Sequence, residues 1–117
     1  MRVLIVEPMN EPYVRDIDNS LSKMQEIVGG YIEAAGFFDD VILVCNEEGK
    51  LDGSLPNRII WDKDGEIADV IHGTFFLCEY GEEDFKSISA ENIEKYGRMF
   101  SFNLQRDNLS RKAEYER

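Results

Sequence analysis

Residues 41–58 read VILVCNEEGKLDGSLPNR, and how this run is divided decides the fold. Val41 to Cys45 is apolar without a polar alternate, the mark of a strand covered on both sides. Asn46 to Lys50, NEEGK, then breaks the pattern. Asparagine opens the reversal and Gly49 closes it, the chemistry of a short hairpin turn. LDGSLP is irregular, and NRIIW resumes as a short strand or helical turn. Asn57 and Arg58 are thereby expected near the base of the turn, at one end of the sheet.

Outward from this run, RVLIV before Pro8 reads as a buried first strand. YVRDID, residues 13–18, alternates and reads as a second strand paired with it in a hairpin. DNSLSKMQEIVGG is the clearest helix. Asp18, Asn19 and Ser20 can each cap it, and Leu21, Met24, Ile27 and Val28 share one face. A helix over residues 20–29, stopped at Gly29-Gly30, is expected, followed by a strand at YIEAA. DKDG at 62–65 is a second reversal. EIADVIHGTFFLCEY reads as one long strand bent at Gly73. GEEDFKSIS reads as a turn with a fragment of helix. SAENIEKYGRMFSF is a last helix capped by Ser89, with Ile93, Tyr96 and Phe100 inward and Gly97 a point for close packing.

The order β-β-α-β-β, then further strand and a C-terminal helix, gives an α+β class. The economical packing is a mixed sheet with one packed helix, a β-grasp-like arrangement. Residues 1–103 form a single domain, and residues 104–117 a polar tail or helix extension.

The chain of 117 residues is 43% apolar, enough for a core, and no apolar run reaches the length of a membrane span. MRVLIVEP is too short for a signal peptide, and two cysteines outside a secretory setting point to reduced thiols in the cytoplasm. The net charge is −11. Residues 1–97 carry 8 basic and 21 acidic side chains, a net of −13, while residues 98–117 carry 5 and 3, a net of +2. Such a body repels nucleic-acid phosphates, so direct nucleic-acid binding is not expected. The plain reading of the charge is solubility, and the sharper one is attraction to a basic partner or mimicry of the DNA backbone.

Most motifs reduce to turns or core. If Gly65 held the sixth place of a calcium loop, Ile60 and Ile71 would hold the first and twelfth, and neither can ligate. His72 is the only histidine, and without a partner nucleophile it reads as packed or half-exposed. Cys45 and Cys78 lack CxxC spacing and read as small buried hydrophobes that could face each other. The glycines of VGGYIEAAG follow a helix, whereas phosphate loops precede one. Adjacent carboxylates such as Glu47-Glu48 and Glu82-Glu83-Asp84 point apart and stay solvated. No catalytic residue, metal site or cofactor is expected. What is left is a polar pocket near residues 46–58, lined by Asn46, Lys50, Asn57 and Arg58, with Glu33 beside them. Arg58 would contact an anionic group or else pair structurally with Glu33 or Asp62.

VLIVEP, LSKMQEIVGGYIE, VCNEEGKLDGSLPNR and GTFFLC, in this order, make residues 1 to about 100 resemble domain of unknown function 3846. This is a family of small uncharacterised proteins from Gram-positive bacteria, phages, plasmids and conjugative elements. The family loop usually reads like GLPLNR where this chain has DGSLPNR. The resemblance implies an accessory, host-directed role and no specific activity. Two readings follow. One is a non-enzymatic acidic protein of a phage or mobile element that binds a host protein. The other is a binder of a small, nucleotide-like molecule at residues 46–58.

Overall fold

In a computed structural model that describes residues 1–102, the chain forms eight strands and two helices. The strands are β1 (Arg2–Val6), β2 (Tyr13–Asp16), β3 (Ile32–Ala35), β4 (Ile42–Asn46), β5 (Pro56–Trp61), β6 (Ile67–His72), β7 (Phe75–Tyr80) and β8 (Phe85–Lys86); the helices are α1 (Leu21–Val28) and α2 (Ala90–Met99). The large sheet runs β2-β1-β7-β4-β3, with β8 also on β7, and β5 and β6 form a separate hairpin. The expected tail at 104–117 lies outside the described residues.

Apolar alternation along β1, β4 and β7 builds three layers. Val3, Ile5, Ile42, Val44, Phe76 and Cys78 face one way and bury Met24 and Val28 of α1. Leu4, Val6, Leu43, Cys45, Phe75 and Leu77 face the other way, toward Ile60 and Ile71 of the hairpin and toward Tyr96 and Phe100 of α2 and its cap. Each fully buried aliphatic or phenyl side chain contributes roughly 1.5–3 kcal/mol, so these two clusters dominate the stability.

Helix α1 starts where Ser20 accepts the Lys23 amide and ends at Gly29, whose φ of 82° only glycine takes without strain. Ser89 caps α2 by accepting the Asn92 amide. The β1–β2 hairpin forms as expected, and all five residues of β4 are buried.

The α+β class therefore stands, with five departures. Every strand pair among the described residues is antiparallel, so the sheet is not mixed and a β-grasp-like arrangement does not arise. NEEGK turns the chain without making a hairpin, because β4 already has β3 and β7 on its two edges. The turn continues to Asp52, whose amide reaches the Glu48 carbonyl, and β5 then enters the other layer. The long strand expected across Gly73 is two strands in two sheets. Gly73, at φ 78°, hands the chain from β6 to β7. GEEDFKSIS holds the strand β8 and no helix, since the Gly81 amide bonds to the Asp84 carbonyl and folds the chain straight back onto β7. Gly97 is no close-packing point: nothing lies within 4 Å of where its Cβ would stand.

Candidate functional site

Asn46 ends β4 and organises the turn beyond it. Its Oδ1 accepts the Glu48 amide at 2.8 Å, and its Nδ2 donates to Asp52 Oδ2 at 3.0 Å. Asp52 in turn accepts the amide and hydroxyl of Ser54, and these bonds hold its carboxyl below the usual range. The ordered loop and β6 enclose a cavity of about 400 Å³. Glu33, Asn46 and Lys50 all line it, together with Cys45, Asp69 and His72. Glu33 stands opposite Cys45 across the β3–β4 pair, which puts both side chains on the same face. Lys50 Nζ bonds to Asp69 Oδ1 at 2.5 Å. Four carboxylates, Glu33, Glu47, Glu48 and Asp69, line the cavity with this one ammonium. The cavity is thus negative, and its chemistry suits a cation better than a phosphate.

Asn57 and Arg58 are not among its lining residues. Both lie at the same end of the sheet but face inward, 4% and 1% exposed. Asn57 Nδ2 donates to the Val6 and Gly73 carbonyls, each at 2.8 Å. Its Oδ1 accepts Arg58 Nη1 at 2.7 Å. Arg58 Nε donates to the Phe100 carbonyl at 3.0 Å and Nη2 to the Asn10 carbonyl at 2.6 Å. Nη1 also reaches the Glu7 and Asn57 carbonyls, at 3.5 and 3.3 Å. Phe102 covers the guanidinium, 5.7 Å from ring centre to Cζ. Burial lowers the Arg58 pKa, with the Glu11 charge acting the other way. Among the described residues Arg58 forms no ion pair, so neither Glu33 nor Asp62 is its partner. Carbonyl dipoles, including one at the C-terminal end of α2, take that role.

The remaining candidates are occupied or inert. His72 Nδ1 lies 3.1 Å from the Ser54 carbonyl and serves as its donor. Cys45 and Cys78 do not face each other but lie on opposite faces of the sheet. Burial pushes the Cys45 thiol up to about 11 and the Cys78 thiol to about 12, so both stay protonated at neutral pH. No group of three or more potential metal ligands occurs among the described residues. No described helix is long and apolar enough to cross a membrane.

A second concavity of about 730 Å³ lies between the β3–β4 loop, the tip of the β5–β6 hairpin and α2. Phe37, Phe38, Trp61, Tyr96 and Met99 give it an apolar lining, and Asp39, Asp40 and Asp62 stand at its rim. Asp40 ties one wall together. Burial opposes its ionisation, but the Tyr96 hydroxyl and the Lys95 ammonium win and hold it below the usual carboxylate range. Sequence reasoning did not find this groove, because its three walls come from segments far apart in the chain. The solitary Trp61 beside a turn rich in aspartate was the only local signal.

The family model for a domain of unknown function, DUF3846, matches residues 1–101. The chain belongs to the DUF3846 family. No curated protein matches it, and no solved structure does. The DUF3846 match takes in both cavities, the Arg58 anchor and all of α2, and ends two residues past the helix.

Proposed function

We propose that this chain is a small, non-enzymatic acidic protein of a phage or other mobile element that binds a basic face of a host protein in the cytoplasm. The observation that carries this reading is the segregation of charge. Residues 1–102 hold 21 carboxylates and 9 cations. No carboxylate among them is buried, whereas one cation, Arg58, is sealed inside. Burial thus removes only positive charge from the surface. Five further cations are spent locally. Lys23, Lys50, Lys95 and Arg98 pair with Glu26, Asp69, Asp40 and Glu94, and Arg2 bonds to the Ile88 carbonyl. A surface of this kind accelerates encounter with a positively charged partner and repels phosphates.

A small-molecule ligand is the second reading, favoured by the cavity that Glu33, Asn46 and Lys50 line. Its carboxylates point to a cation and weigh against a nucleotide-like anion. Asn57 and Arg58 would support such a site from below without touching the ligand.

The test is cross-linked capture from a Gram-positive host lysate, at low salt and at ~0.5 M salt, where exposed charges are screened beyond a few ångströms. The comparison variant carries Glu47→Gln, Glu48→Gln, Glu82→Gln and Glu83→Gln, all at exposed positions. A basic protein captured at low salt should be lost at high salt and captured more weakly by the variant, whose surface carries four fewer negative charges. Capture indifferent to both changes overturns the reading.

A further inference from the structure

In the groove between the β5–β6 hairpin and α2 one cation, Lys95, already meets an aromatic ring and a carboxylate, and a second aromatic ring with two carboxylates lines the same groove. Lys95 Nζ lies 5.1 Å from the centre of the Tyr96 ring and 2.9 Å from Asp40 Oδ2. Tyr96 donates its hydroxyl to the other oxygen of Asp40. An ammonium over an aromatic face, pinned by a carboxylate, is how proteins bind a basic side chain. Across the groove stands Trp61, 37% exposed. Among the described residues its ring stacks on no other ring and lies under no cation. Asp39 and Asp62 share its rim, and neither forms an ion pair among the described residues. Asp62 keeps one oxygen on the amides of Asp64 and Glu66, and the other has no hydrogen bond among the described residues. Lys63 also lines the groove, so on the Trp61 side two carboxylates, Asp39 and Asp62, stand against one ammonium, and that side remains negative.

We infer that this groove docks a basic segment of a partner protein, with one arginine or lysine over Trp61 between Asp39 and Asp62 and an adjoining apolar side chain against Phe37 and Met99. The inference rests on the acidic-partner reading and gives it an address. Charge complementarity selects the occupant. An acidic or neutral segment would leave the carboxylates facing bare apolar surface, and a second copy of this chain would set one acidic rim against another. The indole face is the strongest cation acceptor among the aromatic rings, and arginine can also meet a carboxylate with two parallel bonds.

Trp61 is the only tryptophan in the chain, so its fluorescence reports on the groove and nothing else. The full chain is titrated with a short peptide alternating arginine and leucine, and with a control in which glutamine replaces arginine. Calorimetry on the same samples records binding anywhere on the surface. The expected result is a saturable change in Trp61 emission with the arginine peptide and none with the control. Asp39→Asn with Asp62→Asn should weaken that affinity at least tenfold with an unchanged circular-dichroism melt, since asparagine at 62 keeps the oxygen that holds the turn. Calorimetric binding without any change in Trp61 emission overturns the groove and leaves the acidic-partner reading intact. Absence of binding by both methods overturns both. A Trp61 signal that follows protein concentration without peptide, with dimer in sedimentation, assigns the groove to a second copy and overturns the inference.

Discussion

Asn46 and Arg58 come from one short segment and lie at the same end of the large sheet, yet one borders an open acidic cavity and the other is sealed inside. Asn46 uses its amide to shape a loop whose side chains remain in water. Arg58 uses its guanidinium to join three separate parts of the chain: the β1–β2 loop, its own strand and the end of α2. The difference lies in the partners. A buried charge is costly unless every donor is met, and Arg58 meets carbonyls that the ends of a strand, a loop and a helix leave without intrinsic partners. Arg58 is therefore a clasp, while the carboxylates that line the cavity with Asn46 are the accessible chemistry.

Arg58→Ala breaks this contrast most severely. It orphans carbonyls of Glu7, Asn10 and Phe100 and opens a void beneath Phe102. Unfolding free energy should fall by roughly 3–5 kcal/mol, measured by urea denaturation. A loss below ~1 kcal/mol would mean that solvent serves those carbonyls equally well and that the clasp is incidental. Asn46→Ala tests the other half. It removes the acceptor of the Glu48 amide and the donor to Asp52, at about 1–2 kcal/mol. Faster amide exchange should stay confined to residues 47–54, whereas Arg58→Ala should spread it across β1, β5 and α2.

The smallest effect is on acidification. Asp52 has its carboxyl held below the ordinary value, chiefly by the Ser54 hydroxyl and amide. A depressed folded value means that its contribution is present above the unfolded pKa of ~3.9 and is lost as the pH falls through the folded value. Amide signals of Ser54 and Glu48 should therefore move in acid while the Arg58 Nε–H signal stays in place, since arginine does not titrate there. Both sets shifting together would show the two regions to be coupled.

How much of this was legible depended on how local the cause was. The caps Ser20 and Ser89, the stop at Gly29 and the buried run of β4 follow from side chains within a few residues, and all appear as read. The fate of NEEGK was not local. Its residues make a turn in any setting, but whether the flanking strands pair depends on β7, which joins the edge of β4 from more than thirty residues away. Likewise Glu33, Asn46 and Lys50 line one cavity, while Asp69 and His72, which close it, arrive on β6 and had no signal in the stretch itself. Asn57 and Arg58 looked like ligand contacts because polarity beside a proline can be read either way. Only the carbonyls of Val6, Asn10, Gly73 and Phe100, unpredictable from the sequence, show where their bonds go.

The two thiols on opposite faces of one sheet make an internal pair of clocks. Cys45 is shielded by the β5–β6 hairpin side of the molecule and Cys78 by the α1 side. Neither can cross-link the other through the sheet, and with 6% of Cys45 and none of Cys78 exposed, each reacts fastest when the layer over it opens. The rate at which each is alkylated therefore times the opening of one layer separately from the other. Equal rates would describe a molecule that opens all at once. Unequal rates would reveal which side peels away first and, with a binding partner added, which side that partner holds shut.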